Sequence, residues 1–317
     1  MAIAAITTAL AARKALEKVV EDVYQLGKAR FGMQVRTWKT RSKIDNLYKK
    51  IKNIRKVKTI WQVEKEVDLV KFYYPSKVEF NGVKKTINSL SDLNYDGNIV
   101  IQGTIGQGKS IFFRYLASQE MIKGTAIPIF VELRRIREAQ TLTVHLLEEL
   151  KSLGLEMEEQ LFLFLAENGK IILFLDGFDE LKENQRSNLI TEIEHFAKRY
   201  EKLRILISSR PNSGIEVSPF FRVFELSPLE DNEYEQVISK MAQDDKTALE
   251  IIKGIKEGKG RIKTLLTTPL MVALLMLRYR VEQSIPENAI AFYGDLFNLL
   301  LTRHDKTKAG YVRTRKS

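Results

Sequence analysis

Five short apolar runs, at residues 98–102, 126–132, 170–175, 204–208 and 222–226, alternate with longer segments of helical periodicity at 109–121, 141–152, 158–167 and 185–201. A strand that is apolar on both sides has to be covered on both faces, and a helix between consecutive strands supplies that cover. The alternation therefore predicts an α/β fold, a parallel sheet with helices on both faces. Beyond Pro228 the strand pattern stops. Helical spacing continues at 230–242, 245–256, 269–283 and 288–303, which predicts a small helical domain after the sheet. Ahead of it, Leu16, Val19, Val20, Val23 and Leu26 recur at helical spacing with Gly27 as the expected stop. Ile44, Leu47, Tyr48, Ile51 and Ile54 mark a second helix. Residues 69–80 read as extended, with Pro75 as punctuation.

The first apolar run ends in Gly103-Thr104-Ile105-Gly106-Gln107-Gly108-Lys109-Ser110. A strand, a glycine-rich turn and a helix start in that order form the phosphate-binding loop pattern. Glycine lets the backbone turn left-handed and approach a ligand closely, so the N–H groups of the loop can face phosphate oxygens at the positive end of the following helix. In this pattern Lys109 reaches the β- and γ-phosphates and the Ser110 hydroxyl ligates Mg²⁺. The alternative, a glycine-rich turn with a chance lysine, fits poorly between Ile99-Val100-Ile101 and the helical pattern of Ile111, Phe112, Tyr115 and Leu116.

The run at 170–175 leads into Asp176-Gly177-Phe178-Asp179-Glu180. A carboxylate at the C-terminal end of a parallel strand lies on the edge where such sheets bind ligands. Asp176 is expected to hold Mg²⁺, directly or through water. Gly177 removes a side chain where bulk would crowd the metal, and Asp179 or Glu180 would orient or deprotonate the attacking water. The next run ends in Ser208-Ser209-Arg210-Pro211, placing a guanidinium where it can sense a terminal phosphate through a bidentate contact. Such a bond is worth about 1.5–3 kcal/mol. A surface arginine before a turn proline is the other reading. His145, His195 and His304 stand alone without metal-ligand spacing and are expected to be structural. No Ser-His-Asp arrangement is visible, and the absence of Cys excludes disulfides and thiolate metal sites. The Asn-Lys-x-Asp signature of guanine readers is missing, which favours ATP over GTP.

The net charge of +11 is uneven. Residues 28–58 hold 12 Lys/Arg against one acid, Asp45, which offers a nucleic acid or acidic partner a basic surface, with Phe31, Trp38 and Trp61 as stacking groups. A solvated helix face with inward aromatics explains the same run and is preferred. No apolar run is long enough to span a bilayer. The apolar start of the chain lacks a basic segment before it and continues into a charged helix, so it reads as a helix start, and a nucleotide site favours the cytoplasm. Because the site residues lie downstream of residue 71, the N-terminal helices are expected to be dispensable for turnover.

Taken together, GTIGQGKS, ILFLDGFDEL with its tiny residue after the metal-binding Asp, ISSRP and LLTTPLMVALL resemble a NACHT NTPase, one of the signal-transducing P-loop ATPases with numerous domains. The resemblance covers about residues 72–305 and implies a NACHT P-loop domain at 72–228, a helical lid at 229–305 and a basic tail at 306–317, after an N-terminal basic helical region at 1–71. It implies that Asp179 is the family's added acid, with Glu180 its neighbour. Arg210 becomes the first sensor, and Pro269, Tyr74 and Pro75 lie against the adenine. ATP, ADP and Mg²⁺ are the implied cofactors. A slow ATPase switch that oligomerises when activated, plausible in defence signalling, is the implied function. The alternative is a nucleic-acid-dependent P-loop ATPase; a third reading is a nucleotide-bound scaffold that does not hydrolyse. The family continues into a winged helix, whose histidine contacts the ADP β-phosphate, and sensor repeats. Residues up to Ser317 include neither, and His304 comes too early to be that histidine, so a fragment or a shortened member is expected.

Overall fold

In the computed structural model, residues 2–60, 62–138, 140–242, 244–258 and 262–294 are described. Trp61, His304, most of the helix expected at 288–303 and the basic tail lie outside them. The chain divides into two compact units. One comprises residues 1–57, 67–70 and 75–227, the other residues 58–66, 71–74 and 228–317.

The first unit is built on a seven-stranded sheet. Its strands are β3 (Lys77–Phe80), β4 (Val83–Thr86), β5 (Asn98–Gln102), β6 (Ile127–Glu132), β7 (Ile171–Asp176), β8 (Arg204–Ser209) and β9 (Phe221–Leu226), in the order β4-β3-β9-β5-β8-β7-β6. A separate two-stranded ribbon pairs β1 (Lys56–Thr59) with β2 (Gln62–Asp68). The strands from β9 to β6 run parallel, and all five apolar runs of the sequence are among them. Their centres are buried from both sides, with Ile99, Val100, Ile101, Leu173, Phe174, Leu175, Ile205, Leu206 and Ile207 all at 0 % exposure. Helices α3 (Lys109–Lys123), α4 (Leu142–Ser152), α5 (Glu159–Glu167) and α6 (Glu183–Arg199) fill the crossovers, and helices cover both faces.

The sheet is not wholly parallel, because β3 joins β9 antiparallel and turns back into β4. Asn81 and Gly82 link them with φ of 51° and 77°. Two left-handed residues between paired Phe80 and Val83 make the turn whose twist matches a two-residue hairpin. Phe80 stacks on Phe224 at 4.3 Å, which fixes the hairpin to β9. β4 is exposed throughout and carries Lys84 and Lys85, charges that discourage further pairing at a free edge.

The N-terminal helices, α1 (Ala2–Trp38) and α2 (Arg41–Asn53), belong to this same unit. Gly27 does not end α1. The helix runs on to a kink at Phe31 (φ −126°, ψ 26°), because Gly27 is buried where Val35 and Phe164 close in. The apolar stripe Leu16, Val19, Val20 and Val23 is buried, Phe31 meets Phe164 at 5.3 Å, and Ala15 lies so close to Gly124 that an added Cβ would sit 2.7 Å from it. Gly124 caps α3, the helix that follows the phosphate loop. The N-terminal helices thus pack against α3 within the unit that carries the phosphate loop.

The second unit contains α7 (Glu233–Met241), α8 (Asp245–Glu257) and α9 (Pro269–Glu282). Val237, Ile238, Ile251, Ile255, Val272 and Leu275 form its core, which Tyr74 and Ile60 complete. Thr268 caps α9 by accepting from the Met271 N–H, and Pro269 occupies the first turn, where its missing N–H costs nothing.

Candidate functional site

The phosphate loop leaves β5 and enters α3. Gly106 and Gly108 have φ of 83° and 87°, the left-handed conformation that glycine adopts without strain. At Gly103 an added Cβ would lie 2.8 Å from the Gln107 Oε1 and displace that side chain. Gln107, expected among the nucleotide-binding residues, spends its side chain on the loop itself. Its Oε1 accepts from the Thr104 N–H and its Nε2 donates to the Leu226 carbonyl at 2.9 Å, which staples the loop to the end of β9. Ile105, at the loop's apex, is 65 % exposed. Lys109 Nζ donates to the carbonyls of Gly103 (2.6 Å) and Thr104 (3.2 Å). Burial lowers its pKa and Arg210 adds to the effect, while Asp179, Asp176 and Glu180 oppose it. The lysine of the loop thus feels all three acids at the end of β7 and the arginine at the end of β8.

β8 separates β5 from β7 and supplies the groups that join the halves of the site. Asp176 ends β7 almost fully buried, 7 % exposed. The Ser208 hydroxyl donates to it at 2.5 Å and accepts from the Gly177 N–H at 2.9 Å. Burial pushes the Asp176 carboxyl above the usual range; the hydroxyls of Ser208 and Ser110 and the charge of Arg114 pull the other way. Gly177 is left-handed at φ 79°, and a Cβ there would lie 3.2 Å from Glu180. An acidic carboxylate forced into a buried site, beside the hydroxyl of Ser110, is chemically suited to a hard cation. Among the described residues no group of three or more His, Asp or Glu is placed to hold a metal alone. That pattern fits Mg²⁺, which keeps several waters and takes few protein ligands beside substrate phosphates.

Asp179 is 14 % exposed and paired twice with one residue, accepting from Arg210 Nε at 2.9 Å and from the Arg210 backbone N–H at 3.0 Å. Glu180 takes Arg134 at 3.6 Å. Neither Arg134 nor its neighbours were singled out in the sequence. Glu132 ends β6 in register with Asp176 and gathers Arg114 and Arg135 at 2.7 Å each and Arg134 at 3.5 Å. Burial disfavours its charge, but the three guanidiniums hold its pKa below the usual carboxylate value. The Val131-Glu132-Leu133-Arg134-Arg135 run carried that signal, an acid and two arginines at the end of a core strand.

Of the remaining candidates, Pro75 belongs to the first unit, and Tyr74 and Pro269 belong to the second. The Tyr74 hydroxyl donates to Glu233 at 2.9 Å. His145 is buried on α4 without a hydrogen-bond partner, its pKa lowered by burial, and His195 is exposed. Phe31 and Trp38 are buried, at 8 % and 3 %, so neither offers a face for stacking. Among the described residues no helix is long and apolar enough to cross a membrane.

Residues 98–245 match the family model of the NACHT domain. No curated protein matches the sequence. Among solved structures, a RuvB of Thermotoga maritima is 16 % identical with a TM-score of 0.35, over 64 % of this chain and 62 % of its own. The Walker-type ATPase PABY2304 of Pyrococcus abyssi is 14 % identical with a TM-score of 0.42, over 69 % and 73 %. The Orc1 protein of Aeropyrum pernix, solved in complex with DNA, is 13 % identical with a TM-score of 0.38, over 64 % and 59 %. The chain thus matches less than two thirds of the RuvB and Orc1 chains.

Proposed function

We propose, from the match of residues 98–245 to the NACHT domain, that this chain is a slow, Mg-dependent ATPase switch of the P-loop NTPases whose nucleotide state governs assembly with further copies. The observation that carries the proposal is geometric: the phosphate loop leaves β5 and Asp176 ends β7 on either side of β8, whose Ser208 holds Asp176 and whose following Arg210 pairs with Asp179. The loop amides and Lys109 bind the β- and γ-phosphates. Ser110 and Asp176 would hold Mg²⁺, which when bound spreads the charge of the transferred phosphate. Asp179 and Glu180 orient the water or take its proton. Pro75, in the unit of the phosphate loop, is a proposed adenine contact.

The Asp179–Arg210 pair gives the switch a physical form. A γ-phosphate competes with Asp179 for the guanidinium, so Arg210 turning to the phosphate frees the acid that orients water. Such a charge-assisted contact supplies about 1.5–3 kcal/mol, whereas complete switching needs about 5.5 kcal/mol. A partner or further domain must supply the remainder. A role in defence signalling and a cytoplasmic location follow from the family resemblance. A nucleic-acid-dependent ATPase is less well supported, because Phe31 and Trp38, two of the three aromatics expected to stack bases, are buried, although Arg36, Arg41, Lys43, Lys49 and Lys52 remain exposed.

Calorimetry with Mg·ATP and a phosphate-release assay test the proposal. The wild type should bind ATP and release phosphate slowly. Asp179→Ala should bind within about twofold of wild type and lose roughly 100-fold in turnover, the scale of general acid–base catalysis. Undiminished phosphate release by that variant would remove Asp179 from the mechanism, and no heat of binding would remove the nucleotide site.

A further inference from the structure

Arg114 sits on α3, the helix that opens with Lys109, yet it points away from the phosphate loop. One amine donates to the Ile54 carbonyl at 3.1 Å, just past the end of α2. The other binds Glu132 Oε1 at 2.7 Å, and the guanidinium lies over the Phe130 ring, 4.3 Å from its centre. The second oxygen of Glu132 pairs with Arg135 at 2.7 Å and lies 3.5 Å from one amine of Arg134, whose other amine lies 3.6 Å from Glu180. A single charged relay thus runs from the main chain of the N-terminal helices to the acid beside the attacking water. It passes within electrostatic reach of Asp176, whose charge Arg114 steadies.

We infer that Arg114, Glu132 and Arg134 are positioning residues that couple the N-terminal helical pair to Glu180. The inference rests on the role proposed above for Glu180. Three features support it. The relay is tight at its protected end, where the Arg114 and Glu132 side chains are 18 % and 12 % exposed, and loose at Glu180, where Arg134 is 59 % exposed. Charge-assisted bonds strengthen with burial, so the inner links are fixed and the outer one is free to exchange. The far end is anchored too, because Arg55, next to Ile54, clamps Asp68 with a bidentate pair at 2.7–3.0 Å. Finally, Glu132 ends β6 in register with Asp176, so the carboxylate that gathers the guanidiniums lies beside the strand end that leads into Glu180. Coupling of this kind is reciprocal. A partner that docks on the N-terminal helices and shifts the end of α2 tunes turnover, and nucleotide shifts the end of α2. The charge of Arg134, 3.6 Å from Glu180, draws the carboxylate toward the end of β6 and away from the water it would orient, so the relay brakes hydrolysis.

The chain has no cysteine, so Lys52→Cys, on the exposed face near the end of α2, takes one environment-sensitive fluorophore. Mg·ATP added to the labelled full chain should change the emission with the midpoint found by calorimetry. Arg134→Ala should keep ATP affinity within about twofold, abolish the emission change and raise kcat about fivefold with KM unchanged; Arg134→Lys should restore both. Glu132→Gln should also silence the label, and the exposed Arg134 serves as the variant that does not endanger folding. An emission change that persists in Arg134→Ala, or none in a wild type that binds ATP, overturns the coupling. A wild type that binds no ATP instead overturns the nucleotide site, and the coupling falls with it.

Discussion

At the end of β5 the chain presents backbone N–H groups and one lysine; at the end of β7, on the other side of β8, it presents three carboxylates. The first is shaped by main chain. Gly106 and Gly108 hold left-handed conformations and Gln107 ties the loop to β9, so the loop is shaped by its own groups. The second is shaped by side chains, with each acid assigned a different partner: Ser208 for Asp176, Arg210 for Asp179, Arg134 for Glu180. A phosphate-binding surface is thus built rigid, and a metal- and water-handling surface is built from exchangeable pairs. The difference teaches where a switch can reside. Glycine conformations do not trade partners, but guanidinium–carboxylate pairs do.

The largest effect that would break this contrast is at the rigid side. Lys109→Ala removes the one full positive charge of the loop, and a charge-assisted contact of about 1.5–3 kcal/mol lost together with its field at the phosphates should weaken ATP binding by about 100-fold. Fluorescent-ATP titration measures it. Because burial and Arg210 depress the Lys109 pKa, the wild-type affinity should also decline at a lower alkaline pH than an ordinary lysine would cause. Unaltered affinity in the variant would mean that the loop amides alone hold the ligand.

A second, intermediate effect separates the two surfaces. Burial raises the Asp176 pKa, so the folded state binds that proton more tightly than the unfolded chain does. The penalty for its charge is then complete above the raised pKa and fades as pH falls through it toward the ordinary Asp value. Asp176→Asn removes the penalty and should raise the melting temperature of the nucleotide-free protein at neutral pH, by about 2–4 °C for each kcal/mol relieved. That gain should shrink in acid. The same variant should lose the extra thermal stabilisation that Mg²⁺ adds to ATP in the wild type. A lower melting temperature would show that Asp176 is needed by the fold rather than tolerated for the site.

The parts of this contrast that could be read from the sequence share a physical property: they are local. Gly103 to Ser110 specifies its own loop, and Asp176 lies at the end of an uninterrupted apolar run. The five parallel strands were visible for the same reason. The antiparallel hairpin was also signalled, by Asn81-Gly82, but Val83–Thr86 is polar and exposed and lacks the alternation that marks a half-buried strand. The extension of α1 past Gly27 was hidden because it depends on Phe164, far along the chain. Ser208, Arg114, Glu132 and Arg134 were missed for a similar reason. Their roles come from β8 lying between β5 and β7, and from Glu132 pairing in register with Asp176, and no local pattern encodes strand order.

The smallest expected effect tests the hinge between the two surfaces. Ser208→Ala leaves the Gly177 N–H without its acceptor and Asp176 with one of its two hydroxyl donors, both at the sheet edge. A buried group left unpaired costs about 1–3 kcal/mol, so the melting temperature should fall by about 2–4 °C per kcal/mol, with ATP affinity in the absence of Mg²⁺ unchanged. Ser110→Ala, which removes the other hydroxyl acting on Asp176, should leave the melting temperature near wild type and weaken only the Mg-dependent part of binding, because Ser110 lies on α3 at the ligand side. If Ser208→Ala instead behaves like Ser110→Ala, then β8 does not hold the acid in place, and the strand between the two surfaces is a spacer rather than a support.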